Sequence, residues 1–487
     1  MLKQKALTAT LWSGADMLLR QFLRFGVSVV LARLLSPGQF GTVAMLALFT
    51  GLAAAFVDSG FSSALIQRQD ITRRDESTVF WFNLGVAALV GAALWASGPL
   101  IAGFYNNPLL TPLAAAFGVN LAISALGSVQ NALLIKRLDF RTGFKIGIVS
   151  VVGSSVIAIA MAAKGFGVWA LVAQVLSTTA LSTIMVWVWS PWRPEFAFSA
   201  ASLRRLFAYG GYILAAGLLN QVCTQLNTLV IGKLYSAPAL GQYSRADTTQ
   251  QVPMGMVTGL VMRVGFATFA AAAADVERLR RGFRQMLSSV VLVNTPVMLG
   301  IAATAKPLVL VVFGEKWRPA IALLQVLCLG GLLAPFSLIN LELLMALGRS
   351  KELLRLRIVQ QTLTVALLLA TAPFGIVAIA WSQVALGICQ LFLNGYLTGV
   401  HLKYNVFQQV MDNLPTLSIA VVMAAGVVLL GRYLNHPTAL NLGIQVATGG
   451  AVFVALCAAF RVPAFLEAAQ NALGALGGLR RRPEPVE

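Results

Sequence analysis

Fourteen stretches of about twenty mostly apolar residues, the first near 11–34 and the last near 440–460, restrict this chain more than any other feature. A run of ~20 apolar residues is long enough to cross the hydrocarbon core as a helix. In lipid every backbone N–H and C=O must be satisfied by the chain itself, so only helices or closed barrels span. The runs here are continuous, not alternating, which excludes a barrel. Only 11% of the 487 residues are charged and 58% are hydrophobic, with mean hydropathy +0.80, whereas a soluble domain carries ~25% charged residues. The expected fold is all-α and integral to the membrane: about 14 transmembrane helices, in two pseudo-symmetric six-helix bundles around a central cavity plus two C-terminal helices.

Between the runs, basic residues alternate in density. With the N-terminus inside, cytoplasmic segments hold 25 of the 36 Lys and Arg residues, outer segments hold seven, and Arg20, Arg24, Arg263 and Lys306 lie within spans. The positive-inside rule then places both termini in the cytoplasm. The same rule accounts for the net charge of +19, so nucleic acid is not an expected partner.

An internal repeat sets the domain plan. VVLARLLSPGQFG at 29–41 lies over LVIGKLYSAPALG at 229–241, pairing Arg33 with Lys233, Ser36 with Ser236 and Gly41 with Gly241; GPLIAGFYNNP at 98–108 echoes KPLVLVVFGEKWRP at 306–319. The expected divisions are an N-terminal bundle at 1–190, a cytoplasmic linker at 191–206, a C-terminal bundle at 207–403, two additional helices at 404–460, and an interfacial helix with a disordered tail at 461–487. An even number of spans separates the copies, so they share orientation and a substrate site is expected between them.

Within this apolar chain the first span is anomalous, because it carries Asp16, Arg20 and Arg24. Residues four apart share a helix face about 6 Å apart along the axis. A charge at membrane depth costs from ~2.5 kcal/mol upward and normally faces a protein interior or a watery cavity. One reading is a cavity wall that handles an anion. The other is local: Asp16 pairs with Arg20, and Arg24 snorkels or bonds a neighbouring helix. Asp58 and Glu342 are the other acids at depth. Each is either a protonatable coupling group or else a counter-ion for a neighbouring arginine or a helix-end residue wetted by a loop; for Glu342 the simpler reading is a counter-ion, with Arg349 two turns on. Trp81, Trp187, Trp189 and Trp192 lie near span ends, as interfacial aromatics do.

Other chemistries find little support. The four cysteines all lie inside apolar spans without metal-type spacing, and the chain has two histidines; no disulfide, metal centre, cofactor or catalytic residue is expected. A membrane glycan polymerase or ligase needs an acid or base set in a substantial soluble loop, and the longest loops here are about 17 residues.

Three motifs carry a family resemblance: LARLLSPGQFGTVAM at 31–45, DSGFSSALIQRQD at 58–70 and LLIKRLDFRTGFKI at 133–146. Together they resemble the polysaccharide transporter branch of the multidrug/oligosaccharidyl-lipid/polysaccharide flippase superfamily. The resemblance implies a non-enzymatic flippase for an undecaprenyl-pyrophosphate-linked oligosaccharide, serving capsule, exopolysaccharide or O-antigen assembly. Membrane lipids surround it, the pathway's polymerase and glycosyltransferases are its partners, and a monomer is expected. By the same resemblance, arginines of the first and eighth helices line the cavity, which singles out Arg20 or Arg24 and Arg263. The carboxylate of a sodium site in the seventh helix has no match here: that span offers Gln221, Gln225 and Asn227, leaving H+ or Na+ coupling open. The alternative within the superfamily is a multidrug or metabolite exporter. Cationic cargo would meet arginines in excess on the first span.

Overall fold

The computed structural model describes residues 19–58, 61–68, 70–272, 275–434 and 436–470, with the backbone alone at 63, 205–213, 216, 256–257, 259–268, 270–272 and 350. Among the described residues every regular element is helical. Ten helices among the described residues are long and apolar enough to cross a membrane, and the pair Pro37–Met45 and Ala47–Asp58, bent by 41°, makes an eleventh if it is one span. Contacts divide the chain into two compact units, Met1–Ser244 and Arg245–Glu487.

The first unit holds α1 (19–34), α2 (Pro37–Met45), α3 (Ala47–Asp58), α4 (Phe61–Gln67), α5 (Arg73–Ala96), α6 (Gly98–Tyr105), α7 (Leu110–Lys136), α8 (Phe140–Ala163), α9 (Val168–Trp189) and α10 (Ala200–Leu234). Helix starts follow local chemistry. Thr72 and Asp75 form a reciprocal capping box on α5, with Thr72 N donating to Asp75 Oδ2 at 3.0 Å, and Asp139 caps α8 by accepting from Thr142 N at 3.1 Å. Buried side chains of α1 (Leu31) and the residue after it (Leu35), of α8 (Ala158, Ala162) and of α9 (Ala170, Leu171) share one cluster.

Both copies of the repeated turn fall in this unit, because α11 (Ala237–Ala272) begins inside it. Ser36 N donates to Gln39 Oε1 at 2.8 Å at the start of α2; Ser236 Oγ accepts from Ala239 N at 3.4 Å at the start of α11. The two turns interlock through their glycines. A methyl group on Gly41 would collide with the Ala237 carbonyl, and one on Gly241 with the Pro37 carbonyl. Position 41 meets 237 while 241 meets 37, a reciprocal exchange at the repeat offset of 200. Backbones approach this closely only where no Cβ intervenes.

The second unit holds most of α11, then α12 (Val276–Ala303), the short α13 (Ala305–Leu308) running into a π turn over Val309–Phe313, α14 (Ala320–Ala346), α15 (Ser350–Thr371), α16 (Ile376–Leu402), α17 (Val406–Tyr433) and α18 (Ala439–Ala459). Residues 463–470 are helical; 471–487, where the rest of the interfacial helix and the tail are expected, lie outside the described residues. This unit carries prolines inside α11 (Pro253), α12 (Pro296), α14 (Pro335) and α17 (Pro415). A proline removes the hydrogen bond to the carbonyl four residues earlier. For Pro335 that carbonyl is Gly331, and Asn294 Nδ2 of α12 donates to it at 3.0 Å, so the lost bond is replaced across the helix pair.

Neutral polar side chains then bind the second unit internally. Asn340 of α14 donates to Gln409 Oε1 of α17 at 3.0 Å and accepts from Thr398 Oγ1 of α16. Gln360 of α15 donates to Asn394 Oδ1 of α16 at 2.7 Å. At one end of the unit Arg284 grips Asp412 with two nitrogens, at 2.7 and 2.8 Å. Tyr404, between α16 and α17, donates to the same carboxylate at 2.6 Å; burial and that carboxylate push its phenol above the usual tyrosine range.

Candidate functional site

The charged face of α1 is the site that the sequence singles out. Arg20 Nη2 donates to the Gly143 carbonyl of α8 at 2.6 Å. Its guanidinium lies where a side chain at residue 147 would start, so Gly147 leaves the space it fills. A carbonyl oxygen has two lone pairs, so Gly143 can take the arginine without giving up its helical bond. Arg20 is half-buried. Of the two sequence readings, a bond to a neighbouring helix thus applies to Arg20, where Arg24 had been the expected donor.

Arg24, one turn further along α1, is exposed, and among the described residues it has no hydrogen-bond or ion-pair partner. A guanidinium offers five N–H donors in a planar fork that fits phosphate oxygens. Ser28 extends the same face and is half-buried. Asp16, the expected partner of Arg20, and the side chain of Arg263 lie outside the described residues.

The basic segments of the first unit converge on the end where Arg20 sits. Lys136 Nζ donates to the Arg68 carbonyl at 2.7 Å, Arg20 reaches the start of α8 beside Arg141 and Lys145, and Glu195, two residues after Arg193, lies 3.9 Å from Arg73. Lys233 belongs to the opposite end, where its Nζ donates to the Phe104 carbonyl at 2.6 Å and lies 4.5 Å from that ring. Arg24 is therefore about 6 Å deeper from the basic end than Arg20.

The two candidate acids are placed differently from one another. Asp58 stands exposed at the last residue of α3. Glu342 is buried in α14, with 3% of its surface exposed. The expected offset by Arg349 gives way to another pairing. Arg349 lies 3.8 Å from Glu352, whose carboxylate also meets His401 Nε2 at 2.7 Å. Arg349 is at the N-cap of α15 and Glu352 is three residues on, so a helical first turn brings them together, while Glu342 is on a different helix.

In the seventh span, Gln221 of α10 donates weakly to the Ala47 carbonyl of α3 at 3.5 Å. Among the described residues no group of three or more His, Cys, Asp or Glu side chains could hold a metal ion. One charged residue was missed by sequence reasoning. Arg245, counted there with an outer loop, lies inside α11, is 5% exposed, and packs 5.1 Å from the Phe313 ring and 5.2 Å from Trp317. The repeat ends at Gly241, short of Arg245, and carries no sign of its burial.

Residues 30–322 match a family described as polysaccharide biosynthesis proteins. The lipopolysaccharide biosynthesis protein WzxC of Escherichia coli (strain K12) is 31% identical over 355 residues, 72% of this chain and 71% of that protein. The teichuronic acid biosynthesis protein TuaB of Bacillus subtilis (strain 168) is 29% identical over 417 residues, 84% of this chain and 86% of that one. Among solved structures, the lipid II flippase MurJ in an inward closed conformation superposes with a TM-score of 0.73 at 13% identity, covering 93% of this chain and 98% of its own. At that identity the likeness is one of fold.

Proposed function

The chain belongs to the polysaccharide biosynthesis protein family, and from that premise we propose that it is a flippase carrying undecaprenyl-pyrophosphate-linked oligosaccharide repeat units across the bacterial inner membrane by alternating access, as a transporter and not an enzyme. The glycan so delivered serves capsule, exopolysaccharide or O-antigen assembly, and the pathway's polymerase and glycosyltransferases act on either side of the step. Both termini face the cytoplasm. The chain has fourteen spans: the ten long apolar helices, the bent α2–α3 pair, and α1, α10 and α11. They form two six-helix bundles with two helices added at the C-terminus.

The observation that carries the reading is Arg24, an exposed guanidinium about 6 Å inward of an arginine already committed to α8. A pyrophosphate drawn to the basic end would meet Arg24 with its donors uncommitted; Arg263 is the second candidate, on the family resemblance alone. Losing one charge-assisted hydrogen bond costs ~1.5–3 kcal/mol, roughly tenfold to hundredfold in affinity. Coupling to H+ or Na+ would fall to Asp58 or Glu342. Relatives named for lipopolysaccharide and teichuronic acid biosynthesis support the substrate class. The experiment is flipping of a lipid-linked glycan in proteoliposomes. Arg24→Ala and Arg263→Ala are expected to lower the rate at least tenfold, and Arg24→Lys, which keeps the charge and loses the fork, to fall between. Full-rate flipping by both alanine variants would remove the pyrophosphate grip.

A further inference from the structure

The segment joining α9 to α10, Ser190 to Ser199, has no regular secondary structure and is extended at both ends, where its flanks are helical. Pro191 and Pro194 each withhold an N–H, and each disfavours helical backbone in the residue before it. The segment is nevertheless fixed. Glu195 N donates to Ser77 Oγ at 3.0 Å and Ser199 N to Thr78 Oγ1 at 3.1 Å. Both hydroxyls are fully buried beneath it, so lifting the segment would expose or orphan them. The Trp81 indole N–H donates to the Glu195 carbonyl at 2.9 Å, and that of Trp192, itself buried, to Glu76 Oε2 at 2.6 Å. Arg193 turns back on the end of α9, donating to the carbonyls of Trp187 and Ser190 at 2.8 and 2.6 Å with its guanidinium 5.3 Å from the Trp187 ring.

On this rigid strap stands an aromatic residue with nothing over it. Phe196 stacks on Trp81 with ring centroids 5.3 Å apart and is still 96% exposed. Phe198, two residues on, is 54% exposed. Val188 and Trp189, at the end of α9 where the strap begins, are exposed too. The basic charges lie toward the start of α5: Arg73 and Arg74 are exposed on its first turn, and Arg73 lies 3.9 Å from the half-exposed Glu195 carboxylate of the strap. Seven residues of α5 separate Arg74 from Trp81, about 10 Å along the helix axis. That is comparable with the ~5–10 Å to which the apolar face of an interfacial element sinks into the headgroup–acyl boundary.

We propose that this strap is a membrane-interface anchor: Phe196 and Phe198 enter the headgroup–acyl boundary of the surrounding leaflet while Arg73 and Arg74 engage anionic lipid headgroups above them. Charge complementarity names the occupant, since a basic layer over an apolar one fits an anionic leaflet. The surface is also continuous with the exposed Val188 and Trp189 at the end of α9. The anchor holds the connection between α9 and α10, inside the first unit, at a fixed depth. It stands whether or not the cargo is a lipid-linked glycan.

The test places a bimane label at Phe196→Cys in a chain whose four native cysteines are replaced, reconstituted in vesicles of phosphatidylethanolamine with or without phosphatidylglycerol. Nitroxide lipids labelled near the headgroup are expected to quench it at least twofold more than those labelled near the chain end. Iodide in the aqueous phase is expected to quench it less than a label at Arg141→Cys. Adding Arg73→Ala and Arg74→Ala to the labelled chain is expected to reduce the extra shallow quenching that phosphatidylglycerol confers. A label quenched by iodide as strongly as the Arg141 control, and not by lipid nitroxides, would show a water-facing surface suited to a soluble protein and would overturn the anchor. Quenching unaffected by phosphatidylglycerol or by the arginine changes would overturn the headgroup contact. A second variant, Phe196→Ser with Phe198→Ser, is expected to melt at the wild-type temperature in detergent and several degrees lower in anionic vesicles; equal melting in both media contradicts the proposal.

Discussion

Two arginines of one type, four residues apart on one helix face, have different surroundings. Arg20 holds α1 to α8 through the Gly143 carbonyl and the space at Gly147, whereas Arg24 is exposed and, among the described residues, unpartnered. Their substitutions should therefore separate. Arg20→Met removes a charge-assisted hydrogen bond at a half-buried position and is expected to cost about 1–2 kcal/mol of stability, read as a lower melting temperature in detergent. Arg24→Met is expected to melt within about 0.5 kcal/mol of wild type while losing flipping. If Arg24→Met destabilised the protein as much as Arg20→Met, the division of labour would fail. Glu342 also differs from its sequence reading: Arg349 answers Glu352 in the first turn of its own helix, so the buried carboxylate of α14 is not balanced by Arg349.

Among elements, the repeated turn is the contact where a single methyl group matters most. Gly41 and Gly241 let the starts of α2 and α11 pass with backbone against backbone, each occupying the place of the other's Cβ. Gly41→Ala and Gly241→Ala are each expected to destabilise by about 1–3 kcal/mol, the cost of overpacking a tight contact. Because they share one contact, the double variant should fall short of their sum. Gly26→Ala on α1, where a Cβ meets nothing within 4 Å, serves as the control and should be neutral or slightly stabilising. Thermal unfolding followed with a thiol-reactive dye suits the measurement, since Cys328 and Cys457 are buried and become reactive only on opening. Equal melting of Gly41→Ala and Gly26→Ala would dismiss the interlock.

At the scale of the whole molecule, each unit gathers its basic segments at one end. In the first unit these are the stretches around 68–74, 136–145 and 193; in the second, Arg284 meets Asp412 and Glu352 meets His401. The expected topology puts both ends in the cytoplasm. Cysteines at the exposed positions Arg74, Arg141 and Arg281 should resist an impermeant thiol reagent added to intact cells, and cysteines at Arg33 and Lys164 should react. The reverse pattern would invert the orientation. Ser77, in the first turns of α5 beside Arg73 and Arg74, is unsuitable as a reporter because it is fully buried and its hydroxyl is held by Glu195 of the strap.

The membrane class, the helical elements, the turn at Ser36 and its copy at Ser236, and the anomalous charges of α1 were legible in the sequence, because each rests on a local or periodic property. Apolar run length meets the thickness of the bilayer, and a charge within such a run is costly wherever the chain goes. What Arg20 touches, the burial of Arg245 within α11 and the pairing of Glu352 with His401 rest on residues far apart in the chain, so composition and spacing carry no sign of them. The Asn340, Thr398 and Gln409 network is of the same kind, as neutral polar residues on different helices declare no partner until the helices pack. The exchange of Gly41 with Ala237 was half legible, since the repeat aligned the two glycines, but only packing decided that the two copies would meet. The strap was read as a linker because two prolines and a mixed composition say only that it is not a helix. Tertiary structure decided that its amides would be held by Ser77 and Thr78 and that Phe196 would be left outside, because a hydrogen bond fixes a direction and a sequence does not.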